Sequence, residues 1–223
     1  MYVVSVALLV VCECKGISPM FEEKKEVNMK VLVACEESQV VTIAFRERGH
    51  TAFSCDIKEC SGGHPEWHIK GDCVPVIEHN SWDLIIAHPP CTYLAVSGAC
   101  NMYKNGIIDR SRYDKMIQAR DFFMYFYNLT GVRVCIENPR AMRLADLPQY
   151  SQVIQPFQFG DNYTKQTLLW LKDLPYLIGD CVGIGKRKSV GCKSWCDIHR
   201  NATQRSKTFT GIARAMAKQW GDL

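Results

Sequence analysis

The chain has 223 residues, 47% of them hydrophobic, and a formal net charge of +4, which suits a single domain with one well-buried core. Its twelve cysteines are scattered, several inside apolar runs (Cys35, Cys55, Cys135), and no secretory signal accompanies them. Nothing therefore supports a disulfide framework, and free thiols in a reducing cytoplasm are expected.

The first apolar stretch, Tyr2 to Cys12, is about eleven residues long, too short to cross a bilayer at 1.5 Å per residue, and no basic residue precedes it. A charged, aperiodic segment follows. Residues 1–28 read as an appendage or a start-site artefact, and residues 29–223 as the domain. From Met29 the pattern alternates: strand 30–34, helix 37–48 closed by Gly49, strand 51–55, strand 83–87, helix 110–129, strand 132–136, strand 166–171 and helix 209–220. Met116, Ala119, Phe123 and Phe126 form one helix stripe, and Ile212, Met216 and Trp220 another; both are core candidates. Alternating strands and helices predict an α/β fold, a mainly parallel sheet with helices on both faces.

Two strand ends carry the chemistry. The apolar run Leu84-Ile85-Ile86 empties into His88-Pro89-Pro90-Cys91, where two prolines hold the thiol on a stiff loop. Some forty-five residues on, VRVCIENPR repeats the design with Glu137 and Asn138 ahead of a proline. A cysteine that attacks a ring and a carboxylic acid that protonates it are what addition to a pyrimidine requires. Asp56 closes the second strand, where dinucleotide-like folds hold ribose hydroxyls, and Asp72 stands as a further acid ahead of the next strand. Charge is uneven: residues 181–223 hold nine Lys or Arg against two Asp, +7, whereas residues 1–180 carry −3. The basic stretch from Lys186 to Lys207 suits phosphate contacts. In and just before this stretch Cys181, Cys192, Cys196 and His199 offer three sulfurs and an imidazole, enough for a structural zinc site, but without a Cys-x-x-Cys knuckle they read equally as unpaired thiols in a basic loop.

Taken in order, VLVACEESQ, Asp56, Asp72, PPC at Pro89 to Cys91, ENP at Glu137 to Pro139, FGDNYTKQT at Phe159 to Thr167 and TFTGIARAMAKQWG resemble the cytosine-C5 DNA methyltransferase family, in particular its small phage- and prophage-encoded members. The resemblance implies a class I methyltransferase (Rossmann-like) fold, S-adenosyl-L-methionine as cofactor and DNA as partner, with no membrane. It implies that Cys91 adds to C6 of cytosine and that Glu137 protonates or hydrogen-bonds N3. Lys165 and Thr167 fall where the family carries two arginines. Cys35, Glu36, Ser38, Asp56, Ile57, Asp72 and Pro89 would line the donor site, and Asn138, Lys186, Arg187 and Lys188 would meet the DNA.

At the donor loop the chain reads Cys35-Glu36-Glu37-Ser38, without glycine. The two acids would either meet the donor's positive methionine end or begin the helix at its positive end. Residues 172–206 form a short basic segment in the place of a recognition domain, which implies low sequence specificity or a partner protein that supplies it. A nucleoside-binding protein without catalysis, a pyrimidine-nucleotide C5 enzyme and an amino-methyltransferase remain alternatives.

Overall fold

The computed structural model describes residues 28–179, 192–198 and 207–223. The elements in chain order are β1 (Lys30–Ala34), α1 (Val40–Arg46), β2 (Thr51–Asp56), β3 (His68–Lys70), α2 (Cys73–Glu78), β4 (Leu84–Ala87), the hairpin β5 (Tyr103–Lys104) and β6 (Ile107–Ile108), α3 (Arg110–Asn128), β7 (Arg133–Asn138), β8 (Gln152–Ile154), β9 (Tyr163–Thr164), β10 (Thr167–Lys172), β11 (Lys193–Ser194), α4 (Trp195–Ile198) and α5 (Thr210–Trp220).

Seven strands form one sheet in the order β3-β2-β1-β4-β7-β10-β8. The first five run parallel, and β10 runs antiparallel to both β7 and β8. A parallel strand covered on both faces has no polar side to show, and β1 and β4 are accordingly apolar at nearly every position. Alternation along β1 sorts two cores. Val31 and Val33 meet α1 and α5 through Phe45, Met216 and Trp220, whereas Leu32 and Ala34 face α2 and α3 through Ile77, Met116 and Phe126. Helices thus lie on both faces, as expected. Each fully buried large side chain contributes about 1.5–3 kcal/mol. Phe123 adds an edge-to-face contact with Trp170, ring centroids 4.9 Å apart.

Several expected boundaries move, each for a local reason. α1 starts at Val40 because Cys35 and Gln39 adopt left-handed backbone conformations (φ 60° and 57°), so the chain turns before it coils. β7 runs through Glu137 and Asn138, which makes these two residues part of the strand rather than of the following loop. Asp72 precedes helix α2, not a strand, and accepts the Val74 N–H at 3.0 Å as its N-cap. β3 and β8, three residues each, are too short to display a period. In α3, Met116, Phe123 and Phe126 are buried and Ala119 is half-buried. The basic segment returns to the body: β11 pairs with β9, and Trp195 packs edge-on to Tyr163 and Phe209 at 4.8 and 4.7 Å.

Candidate active site at the carboxyl edge of the sheet

From β1 the sheet grows one way through β2 and β3, and from β4 the other way through β7. The order of the strands thus reverses between β1 and β4, and the carboxyl ends of strands at such a point are where open α/β sheets bind ligands. In-register pairing aligns those ends: Ala34 lies beside both Cys55 and Ala87, and Ala87 beside Ile136. Cys35 and Glu36 therefore follow β1, Asp56 ends β2 with Ile57 just after it, His88 to Cys91 follow β4, and Glu137 and Asn138 end β7, all on one edge. Because β10 is reversed, Lys165 and Thr167 enter that edge from the other direction, with Leu169 opposite Glu137.

Hydrogen bonds join the two loops of interest. Asn138 Nδ2 donates to the Pro89 carbonyl at 2.8 Å, and His88 Nδ1 lies 3.2 Å from Glu137 Oε2. Farther out, Met142 N–H donates to Leu94 O at 2.7 Å and Val96 N–H to Arg140 O at 2.9 Å. Between them Cys91 is half-buried at the head of a turn, its carbonyl accepting from Leu94 and Ala95. Asn138, only 1% exposed, is a brace between the loops rather than a group on an open surface. Pro89 is likewise buried, while Pro90 is exposed.

Burial pushes the Glu137 carboxyl up, but the hydrogen bond and charge of His88, the charge of Lys165 and the Thr167 hydroxyl outweigh it and hold the group below the usual carboxylate range. Glu137 is thus ionised at neutral pH. Lys165 also rests over the Phe209 ring, 5.8 Å from its centroid, and its N–H donates to Gln155 Oε1 at 2.9 Å. Thr167 is buried, with Oγ1 3.4 Å from the Lys165 carbonyl.

On the donor side the two acids take different roles. Glu36, 4% exposed, accepts Val41 N–H at 2.7 Å, Thr42 N–H at 3.2 Å and the Thr42 hydroxyl at 2.8 Å. It begins α1, and burial pushes its carboxyl up. Glu37 instead accepts the Ser61 hydroxyl and anchors the loop after β2. Ser38 is buried. The Cys35 thiol is kept protonated by its hydrogen bond to Cys73 and by burial. At the end of β2, Asp56 Oδ1 accepts the Lys58 N–H at 2.9 Å, and Ile57 is 75% exposed beside it.

Two residues outside the sequence-based set help to build the site. Gln39 clasps the loop after β2, its amide donating to His64 O at 2.8 Å and accepting from His64 N at 3.1 Å. Gly62 is required there, since a Cβ at that position would lie 2.5 Å from Gln39 Cβ. Nothing in the sequence marks Gln39. The other is His88, whose signal was a polar residue directly between an apolar strand and the double proline.

Lys186, Arg187 and Lys188 lie outside the described residues, as do Cys181 and His199; Cys192 is half-buried and Cys196 exposed. No disulfide joins the described cysteines. Among the described residues, no helix is long and apolar enough to cross a membrane.

Fold and site together define an α/β protein with a mainly parallel sheet and a cluster of polar side chains at the carboxyl edge of its central strands. No protein-family model matches the chain, and a comparison with curated proteins finds no significant match.

Proposed function

We propose that the protein transfers a methyl group from S-adenosyl-L-methionine to C5 of cytosine in DNA, through a transient bond between Cys91 and C6 of the base. The observation that carries this reading is the join between the Cys91 loop and the Glu137 strand, made by Asn138 on Pro89 and by His88 on Glu137. It brings the loop that bears the thiol and the strand that bears the carboxylate together from distant parts of the chain. The finer fold reading, a class I methyltransferase domain, is supported by the parallel order β3-β2-β1-β4-β7 with a reversed β10 beside it.

The donor's chemistry matches the groups at the end of β2. Asp56 would accept hydrogen bonds from the ribose hydroxyls, and the exposed Ile57 offers an apolar face to the adenine ring. When bound, S-adenosyl-L-methionine supplies the methyl group that the activated C5 takes. Glu36, committed to the start of α1, takes no part in direct donor contact in this reading.

The Cys91 thiolate adds to C6, which needs the electrons of the C5–C6 double bond to move toward N3. A proton delivered to N3 from the Glu137 carboxyl neutralises the charge that appears there only as the bond forms. After methylation the C5 proton passes to a water molecule, the electrons of that C–H bond re-form the C5–C6 double bond, the C6–sulfur bond breaks to return the Cys91 thiolate, and the N3 proton returns to Glu137. A base stacked in duplex DNA must be extruded to reach these groups.

DNA containing 5-fluorocytosine cannot lose a proton from C5, so in the presence of the donor it should trap a covalent complex with the full chain. Cys91→Ser should form none. Parallel incubations with labelled donor and duplex DNA, single-stranded DNA or dCMP separate a DNA enzyme from a nucleotide enzyme. A complex formed equally well by the serine variant would sink the assignment.

A further inference from the structure

Glu137 enters the reaction as an anion in the free protein, yet its task is to deliver a proton. The proton must come from somewhere, and the geometry points to one neighbour. We propose that His88 is the positioning residue that loads Glu137 with its proton as the base binds. The proposal rests on the cytosine reading for the identity of the final acceptor, but the pair itself stands on the arrangement of the two side chains.

His88 is the first residue after β4, and its N–H donates to Ala34 O at 2.9 Å, so β1 sets its position. Its ring Nδ1 lies 3.2 Å from Glu137 Oε2, with the two side chains only 9% and 15% exposed. Three charged groups define these surroundings. Glu137 faces the ring from β7, Glu36 acts on it from the turn after β1, and Lys165 acts on Glu137 from the segment before β10. Both Glu36 oxygens already accept hydrogen bonds from Val41 and Thr42, which leaves Glu137 as the ring's carboxylate partner. The second ring nitrogen, Nε2, is buried and makes no hydrogen bond among the described residues. The ring is therefore held through one nitrogen only, and a proton can cross from Nδ1 without rupture of any other contact.

A neutral amide could hold Glu137 Oε2 equally well. What imidazole adds is a ring nitrogen that can both carry a proton and hand it on. In the step proposed, the Nδ1–H bond of the imidazolium breaks with its electron pair left on nitrogen, and an O–H bond forms on Glu137 Oε2. Base binding drives it, because exclusion of water raises the cost of a carboxylate charge. Glu137 then passes the proton to N3 as the Cys91–C6 bond forms, recovers it on elimination and returns it to Nδ1. The pair ends each cycle with the proton it started with.

The test uses the full chain with 13C-labelled glutamate and 15N-labelled histidine. In the wild type, the Glu137 carboxyl resonance should move in two steps with pH, the second mirrored in the His88 nitrogen shifts, as coupled sites do. A single Glu137 step with no His88-linked counterpart would overturn the proposal. His88→Asn keeps a donor where Nδ1 stood but has no proton to release. In that variant the Glu137 step should move upward in pH, and turnover at pH 8 should fall by roughly tenfold or more while recovering toward wild type at pH 6. A loss that is uniform across pH would reduce His88 to a structural hydrogen bond. The resonance experiment needs no turnover: a chain that methylates nothing, yet shows the two coupled steps, keeps the proton pair and loses the cytosine reading.

Discussion

Asn138 reaches across from the last position of β7 to donate to the carbonyl of Pro89, 2.8 Å away, and does so almost wholly out of solvent. This bond fixes the cysteine loop to the strand that bears the carboxylate. Its removal in Asn138→Ala leaves a buried carbonyl without its donor, which costs about 1–3 kcal/mol. Urea denaturation should show that loss. The rate of covalent trapping on 5-fluorocytosine DNA should fall as well, since a loosened loop no longer presents its thiol in one geometry. Unchanged stability in the variant would mean that the brace is redundant with the outer bonds at Leu94 and Val96.

Glu36 and Glu137 both feel the charge of His88 but respond to pH in opposite senses. The Glu36 carboxyl is raised, so its contribution to stability is complete below the unfolded value of about 4.3 and is lost as the pH rises through its folded value. The Glu137 carboxyl is lowered, so its contribution is present above about 4.3 and is lost as the pH falls through its folded value. Glu36→Gln removes the first effect. Relative to wild type, stability measured by denaturation from pH 4 to 8 should rise more steeply, or fall less, with increasing pH. Parallel curves for the two proteins would contradict the burial of an ionisable group at this helix start.

Ile57 and Asp56 test the donor site from two sides. A side chain three-quarters exposed contributes little to the fold, so Ile57→Ala should change stability by no more than about 0.5 kcal/mol. Calorimetric titration with S-adenosylhomocysteine should nonetheless show weakening of roughly tenfold in Asp56→Ala and a smaller loss in Ile57→Ala, a tenfold change corresponding to about 1.4 kcal/mol. Full affinity in both variants would place the donor elsewhere, and no binding by the wild type would favour a protein without catalysis.

The basic stretch at Lys186, Arg187 and Lys188 carries a prediction from sequence alone. Phosphate contacts on duplex DNA contribute a salt slope of about 0.9 each and read little base information. Alanine at all three positions should weaken every DNA sequence nearly equally and flatten the salt dependence. A changed choice of methylated sequence would instead make this stretch a reader of bases.

The sequence by itself determined the alternation of strands and helices, the two apolar helix stripes and the position of Cys91 after a buried strand. Each of these is written in local periodicity or in a proline that stops a strand, signals that need no neighbour. It could not tell whether Glu36 met a ligand or began a helix, because a carboxylate two residues past a strand has the same spelling in both cases. Only the fold decided, by bringing the Val41 and Thr42 donors to both its oxygens. Tertiary structure likewise decided that Asn138 is a brace, that Gln39 holds the loop after β2, and that His88 shares a buried hydrogen bond with Glu137. These contacts join residues 25 to 49 positions apart through strands that lie side by side in an order different from their order in the chain. No local pattern encodes such an order. It follows from burying two apolar faces of one sheet at once, and the ionisation of Glu137 follows from what that packing places beside it.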